Sequence, residues 1–320
     1  MDNVLSDTER DSLECVINEA ERWVSGKREQ IKLALVALLA GGHLLLNDVP
    51  GVAKTRLARV LARLIGMSFA RIQGTPDLLP SDVTGGLIYE PQSGQLSFRH
   101  GPIFHHVILF AEIHRATPRT QAALLEAMEE HQVTDSGQSH PVPTPFMVLA
   151  TQNPIEMEGT FSLPEAQMDR FLLSFGLGYP DRQDERDLVR RFSHTDEVKE
   201  IVSVWNPEQV TRMMKRVADV RLDDTVLAYL VDVVRATRQH PMIRLGASPR
   251  AAVQYARAVR AQAYVAGRDY VTPDDVQALA VPLLAHRIVI GVEASVSGST
   301  SIEVVKSLLH TVPVPVEDAR

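Results

Sequence analysis

The chain has 320 residues, 45% of them hydrophobic, which is enough to build two packed domains. Its 33 basic and 40 acidic residues give a net charge of −7, which excludes a whole-chain electrostatic attraction to nucleic acid or to an anionic membrane. The single cysteine, Cys15, excludes an intramolecular disulfide and is compatible with a reducing compartment.

The N-terminal part of the chain is predicted to be helical. Its first residues are acidic and lack the basic segment and apolar core of a signal peptide, so we expect a cytoplasmic protein. Apolar residues recur with helical spacing at about 7–23 and 29–39. The apolar run IKLALVALLAGGHLLL is interrupted by Lys32, a Gly-Gly pair and His43. It therefore predicts a helix, a glycine stop and a buried strand, with no membrane span.

Short apolar runs then alternate with helical stretches, which is typical of a mostly parallel sheet covered on both faces. These runs are HLLL, FARIQ, VILF, FMVLA and FLLSFGL, starting at residues 43, 69, 107, 146 and 171. Two strand-like pieces around the turn PQSG predict a hairpin inserted at about 84–100. Beyond the sheet the pattern is helical to the end, with one helix at about 273–290. We predict an α/β core at residues 1–183 and a helical domain at residues 184–320.

The segment after the first strand has the character of a phosphate-binding loop. The loop NDVPGVA leads into a helix predicted to begin near Lys54. Unpaired backbone N–H groups and the positive end of the helix dipole suit such a loop for a di- or triphosphate. We expect Lys54 to reach the terminal phosphates and the Thr55 hydroxyl to bind Mg²⁺. The candidate nucleotide-binding residues are Asp48, Val49, Pro50, Gly51, Val52, Ala53, Lys54 and Thr55.

This loop departs from the strict pattern G-x-x-x-x-G-K-[ST]. Asp48 replaces the first glycine and Ala53 the second. We expect Ala53 to cost only the clearance of a methyl group, whereas Asp48 adds a negative charge near phosphate unless its side chain turns away. The alternative reading is an ordinary strand, loop and helix with an exposed lysine.

The strand in VILFAEIHRA ends at an altered catalytic pair. In nucleotide hydrolases of this architecture the strand ends in Asp-Glu, where the aspartate holds Mg²⁺ and the glutamate polarises the attacking water. Here the pair is Ala111-Glu112. Because consecutive strand residues point to opposite sides, we expect that Glu112 cannot replace the aspartate. The prediction is weaker Mg²⁺ retention and slower hydrolysis; the alternative for Glu112 is a solvated carboxylate.

Three further polar residues are catalytic candidates. Asn153 follows the strand FMVLA and can present an amide near the terminal phosphate, although an Asn there is also a common turn residue. Arg170 is either an arginine finger delivered to a neighbouring subunit or a surface residue paired with Asp169. Arg250 follows Ser248, a plausible N-cap, so it is expected in the first turn of a helix, where a bound anion would explain it better than simple surface charge.

Taken together, these segments resemble the MoxR family of AAA+ ATPases, in the branch with a hairpin inserted in the second core helix. The most specific carriers of the resemblance are TPDLLPSDVTG (75–85), GPIF (101–104), RATPRTQAALLEAMEEHQVT (115–134), ATQNPIE (150–156), LPEAQMDRF (163–171) and SPRA (248–251). The resemblance implies an αβα P-loop NTPase core with a parallel sheet, an all-α lid, and ATP or ADP with Mg²⁺. By position it makes Lys54 and Thr55 the Walker A residues, Glu112 the catalytic glutamate, Asn153 sensor 1, Arg170 the arginine finger and Arg250 sensor 2.

The same resemblance implies a homo-oligomeric ring, expected to be a hexamer, that remodels a client protein, including proteins with a von Willebrand factor A domain. The family usually has Asp at Ala111 and Asn at His114, so the chain departs from it at the metal-binding position. His114 is either a phosphate or subunit contact or a turn residue without such a role. Two other functions stay open: a non-hydrolysing nucleotide-binding scaffold, and a DNA-associated motor, which the acidic balance disfavours.

Overall fold

The computed structural model describes residues 7–92, 94–153, 160–192 and 201–315. Residues 154–156, at the end of the motif ATQNPIE, lie outside the described residues. Within these ranges, the first part of the chain contains sixteen helices and strands, with single 3-10 turns at Pro102–Phe104 and Ile113–Arg115. They are α1 (Asp7–Trp23), α2 (Arg28–Leu39), β1 (Leu44–Asn47), α3 (Lys54–Leu64), β2 (Phe69–Gln73), α4 (Pro80–Thr84), β3 (Gly85–Glu90), β4 (Gln95–His100), β5 (Val107–Ala111), α5 (Pro118–Glu130), β6 (Gln132–Asp135), β7 (Gln138–Pro141), β8 (Met147–Gln152), α6 (Glu165–Met168), β9 (Leu173–Phe175) and α7 (Arg182–Phe192).

The second part is mainly helical, as predicted. Its elements are α8 (Pro207–Asp219), α9 (Asp224–Ala236), β10 (Ile243–Leu245), α10 (Pro249–Val265), α11 (Pro273–Leu284), β11 (Val289–Ile290), α12 (Val292–Val296) and α13 (Ser301–Leu309). The sequence analysis did not predict the antiparallel ribbon of β10 and β11. The helix expected over 273–290 ends at Leu284, and the chain then enters β11.

Five strands form a parallel sheet in the order β2-β5-β8-β1-β9, which confirms the predicted sheet. The register pairs Ala150 of β8 with Leu45 on one side and with Phe110 on the other. Because all five strands run the same way, the carboxyl ends of β1, β5 and β8 lie side by side at one edge. This is the edge where ligands bind in open α/β sheets.

Both faces of the sheet are buried, since alternate side chains of β1, β5 and β8 enter two separate hydrophobic cores. Leu44, Leu109 and Leu149 face a core that includes α1, α2, α3 and the helical lid. Leu45 and Phe110 face a second core that includes α5. The lid therefore packs against the same face of the sheet as α2 and α3. This arrangement is the predicted αβα core with a helical lid.

Two hairpins project from the α/β core. β3 and β4 form the predicted inserted hairpin, directly after α4. β6 and β7 form a second hairpin, after α5, that the sequence analysis did not predict. Across the described ranges, no helix is both long and apolar enough to cross a membrane.

Candidate nucleotide-binding site

A cavity of about 380 Å³ lies at the carboxyl edge of the sheet. It is lined by the loop before α3, the start of α3 and the strand ends, through Pro50, Gly51, Ala53, Lys54, Thr55, Arg56, Arg59, Arg71, Gln73, Ala111, Glu112, Thr151, Gln152 and Asn153. The structure thus brings the predicted phosphate loop, Glu112 and Asn153 to one cavity, although they are separated by up to about a hundred residues in the chain.

The loop that precedes α3 depends on left-handed backbone at two positions. Gly51 has φ +87°, which glycine adopts without strain. Ala53, the residue before Lys54, has φ +68° and is the N-cap of α3 without a side-chain cap. Left-handed backbone costs an L-residue about 1–2 kcal/mol. The expectation that Ala53 costs only a methyl group's clearance was therefore wrong, because its cost is conformational.

The carboxylate of Asp48 turns away from the cavity. It accepts hydrogen bonds from the backbone N–H of Val49 at 2.8 Å and of Gly178, beyond β9, at 2.6 Å. Asp48 therefore ties the loop to the neighbouring strand end and does not line the cavity. Val49 and Val52 do not line it either, and Val52 is buried in the core. Of the predicted loop residues, five contact the cavity: Pro50, Gly51, Ala53, Lys54 and Thr55.

The Lys54 ammonium is held by its own loop. It donates to the carbonyl oxygens of Asp48 at 2.5 Å and Val49 at 3.2 Å. Burial lowers the pKa of Lys54, and the carboxylates of Asp48 and Glu112 oppose that shift. Among the described residues no carboxylate forms an ion pair with this half-buried ammonium, and a bound phosphate would supply that charged partner.

Glu112 lies just past the end of β5 in left-handed backbone, with φ +58°. Its N–H donates to the Thr151 hydroxyl at 2.9 Å. Its carbonyl oxygen crosses so close to Gly74 that a Cβ there would lie 2.2 Å from it. Strained non-glycine backbone of this kind persists only where neighbours enforce it, and it is concentrated at functional sites.

This turn changes the relation between Glu112 and Ala111. The alternation of strand side chains does not extend past Ala111, and both residues line the same cavity. That the two side chains point to opposite sides stays a prediction, because the left-handed backbone of Glu112 ends the strand geometry on which it rested. Two groups hold the Glu112 carboxylate: Gln73 Nε2 donates to Oε2 at 2.8 Å, and Arg115 Nε lies 3.3 Å from the same oxygen.

The cavity offers few oxygen ligands for a metal ion. Thr55 contributes a hydroxyl, the side chain of Ala111 contributes no oxygen, and the Glu112 carboxylate is engaged by Gln73 and Arg115. In the part of the chain that the structure describes, no cluster of three or more His, Cys, Asp or Glu could hold a metal. These residues fit a Mg²⁺ ion that takes most of its ligands from phosphate and water, which is how this ion is commonly bound.

The lining of the cavity is strongly cationic although the chain is acidic overall. Lys54, Arg56, Arg59 and Arg71 face one carboxylate, Glu112. The sequence analysis missed the three arginines, and it also missed Gln73. A signal was available, because Arg59 follows Thr55 by one helical turn and Arg71 and Gln73 share one face of β2. Such a cavity suits a polyphosphate.

Arg170 and Arg250 do not line this cavity; the structure places them together elsewhere. Arg170 Nη2 lies 3.0 Å from Glu129 Oε2, and Arg250 Nη1 donates to Glu129 Oε1 at 2.8 Å. One carboxylate at the end of α5 therefore joins the two arginines. Arg170 does not pair with Asp169. The prediction that Ser248 caps α10 is confirmed, since its hydroxyl accepts from the Ala251 N–H at 3.3 Å.

A buried ion pair holds the turn that carries Arg170 against the lid. Arg287 is 1% exposed, and its Nε donates to Asp169 Oδ1 at 2.9 Å. The guanidinium also donates to the carbonyl oxygens of Phe171 at 2.5 Å and Leu172 at 3.0 Å. Burial lowers the pKa of Arg287 to about 10, and Asp169 opposes that shift. The sequence analysis missed Arg287.

His114, by contrast, is buried in the turn after Glu112 and does not line the cavity.

Comparison with known proteins agrees with this geometry. Residues 43–173 match the family model described as "ATPase family associated with various cellular activities (AAA)", and residues 235–308 match the AAA lid domain. The chain is 45% identical over 301 residues to the Bacillus subtilis protein YeaC, covering 94% of each chain. It is 39% identical to the Mycobacterium tuberculosis chaperone MoxR1, covering 95% of this chain and 82% of the relative.

A solved structure is similar over nearly the whole fold. The crystal structure of a proposed ATPase from Cytophaga hutchinsonii superposes with a TM-score of 0.90 at 36% identity, covering 97% of this chain and 96% of the other. Sequence similarity and fold therefore lead to the same assignment. The chain belongs to the MoxR family of AAA+ ATPases.

Proposed function

We propose that the chain binds ATP or ADP in this cavity and hydrolyses ATP slowly. The observation that supports this best is the convergence of the loop before α3, Glu112 and Asn153 on one cationic cavity. Loop amides and the N-terminus of α3 suit the phosphates. Glu112 is the candidate for polarising the attacking water, and Asn153 for contacting the terminal phosphate.

Mg²⁺ is the expected companion of the nucleotide, and Thr55 is the residue that would hold it. When bound, the ion neutralises phosphate charge and stabilises the transferred phosphoryl group. The side chain of Ala111 offers no oxygen to the ion or to its water shell. We therefore expect weak retention of Mg²⁺ and slow turnover, with nucleotide affinity carried mainly by the loop and Lys54.

The ring and its client are part of the proposal. Arg170 and Arg250 lie outside the cavity of their own chain, which supports a role at the nucleotide of a neighbouring subunit in a ring, expected to be a hexamer. The relative named chaperone MoxR1 supports remodelling of a partner protein. A protein with a von Willebrand factor A domain is the candidate client that the family resemblance suggests.

A second candidate function is a scaffold that binds nucleotide without hydrolysing it. Two observations favour it: the alanine at position 111, and the contacts through which Gln73 and Arg115 hold the Glu112 carboxylate. In this function the nucleotide fixes subunit geometry for protein binding and is not consumed.

Mg²⁺-dependent phosphate release from the wild type and from Ala111→Asp separates the two functions. Restoring a metal-holding carboxylate is expected to raise turnover by about one order of magnitude or more. Ala111→Asn is the matched control, because it has nearly the same volume without the charge, and it should stay near the wild-type rate. Equal rates for all three proteins would show that the carboxylate does not limit turnover. Nucleotide binding without release in any of them would favour the scaffold.

A further inference from the structure

A second, smaller cleft lies where the end of α5 meets the lid. It has a volume of about 120 Å³, and its lining includes Gly41, Glu129, Arg170, Arg250 and Arg257. Arg257 forms no ion pair within the described ranges, while Arg170 and Arg250 share Glu129. Three guanidinium groups therefore face one carboxylate. The cleft has an excess of positive charge that fits an additional anion.

The contacts that close this cleft are weak. The side chains of Arg170, Glu129 and Arg250 are 28%, 34% and 42% exposed, so water screens both ion pairs. Exposed pairs contribute little to stability. The helix dipoles disfavour both charges of the Arg250–Glu129 pair, since Glu129 lies in the last turn of α5 and Arg250 in the first turn of α10. A ligand with more negative charge can therefore displace the carboxylate.

The backbone segments that carry the two arginines are nevertheless held in place by contacts of neighbouring residues. Asp169, next to Arg170 in the chain, is fixed by the buried Arg287 and accepts a hydrogen bond from Ser248 Oγ at 3.0 Å. Ser248 caps α10, which carries Arg250 in its first turn. The turn of Arg170 and the helix start of Arg250 are thus joined by one hydrogen bond. The two guanidinium groups are positioned as a unit.

We propose that Glu129 is a positioning residue that occupies both arginines in the free protomer in place of a phosphate. When a second copy of this chain presents the terminal phosphate of its bound ATP, Arg170 and Arg250 exchange Glu129 for that phosphate. Charge complementarity supports this occupant, because a terminal phosphate carries more negative charge than one carboxylate and can accept bidentate hydrogen bonds from arginine. The inference rests on the proposed function, since it requires a nucleotide in the large cavity of the neighbour.

The test is the association of full-length protomers, measured by analytical ultracentrifugation with Mg²⁺ and either AMP-PNP or ADP. In Glu129→Gln, two weak ion pairs no longer compete with the phosphate. The protomer concentration at which half of the protein is assembled with AMP-PNP should therefore fall by roughly 3- to 30-fold. With ADP, which lacks the terminal phosphate, the protomer concentration at half-assembly should stay within about twofold of the wild-type value. The matched control is Glu130→Gln, which removes the neighbouring, exposed carboxylate of the same helix and should change neither value.

A third protein shows whether the effect passes through the two arginines. In the background Arg170→Gln with Arg250→Gln, adding Glu129→Gln should have no effect on assembly. The inference is overturned if Glu129→Gln behaves like Glu130→Gln with AMP-PNP, if it weakens assembly, or if it shifts the AMP-PNP and ADP values equally. Failure of the proposed function is distinct: the wild type would then bind no AMP-PNP in a calorimetric titration.

Discussion

Asp169→Asn removes the only carboxylate that pairs with the buried Arg287 within the described ranges. At 2.9 Å the Coulomb attraction is roughly 6 kcal/mol for an effective dielectric constant of about 20. Removing one partner of a buried pair costs about 3–5 kcal/mol. Asp169 is 18% exposed, and the carbonyl groups of Phe171 and Leu172 remain as acceptors. We therefore expect a loss of about 3 kcal/mol in the free energy of unfolding, the low end of that range.

Deprotonation cannot relieve this cost at neutral pH. A guanidinium keeps its proton at neutral pH in proteins, so Arg287 stays charged without its partner. Urea unfolding followed by circular dichroism measures the loss. Asp187→Asn is the matched control, because Asp187 pairs with Arg190 at 3.4 Å on the exposed face of α7, and it should cost less than about 0.5 kcal/mol. Equal stabilities of the two variants would refute the reasoning.

Two further predictions concern stability. Ala53→Gly should stabilise the chain by about 1 kcal/mol, because it relieves left-handed backbone at the N-cap of α3. Ala122→Gly, on the exposed side of α5, should instead lower the stability. A loss of stability in both variants would contradict the left-handed backbone at Ala53. Burial lowers the pKa of His43 to about 4, below an unfolded value near 6.5, and lowers that of His286 as well. The contribution of each histidine to the free energy of unfolding should therefore be fully present above pH 6.5. It should fall by roughly 1.4 kcal/mol per pH unit as the pH drops toward the pKa of the folded state. Urea unfolding at pH 7 to 5 measures this, and an unfolding free energy that does not change over that range would contradict it.

The sequence predicted the sheet well because its strands are buried on both faces. The strand β5 (VILFA) and the start of β8 (MVLA) are continuous apolar runs, which are a strong local signal. The hairpin of β6 and β7 was missed for the opposite reason. Its strands, QVTD and QSHP, are short and polar and have no apolar alternation. The ribbon of β10 and β11 has only three and two residues and depends on pairing across the lid.

The site was predictable where a motif fixes local chemistry and unpredictable where folding creates the contact. The loop before Lys54 could be read from sequence, but the left-handed backbone at Ala53 and Glu112 could not, because neither is a glycine. The pairing of Glu129 with Arg250 joins residues 121 positions apart. Spacing along the chain carries no signal for such a contact, so the grouping of the two arginines away from the cavity required the structure.

The central claim is that the cavity at the start of α3 binds a nucleotide through its loop and Lys54. Isothermal titration calorimetry of ATP into the wild type and into Lys54→Ala tests it most directly. We predict saturable binding to the wild type and a loss of about 10- to 100-fold in affinity for the variant, the effect of one charge-assisted contact. Lys32→Ala, which removes a partly exposed lysine of α2 outside the cavity, should bind like the wild type. The account is contradicted if the wild type binds no ATP or if Lys54→Ala binds it equally well.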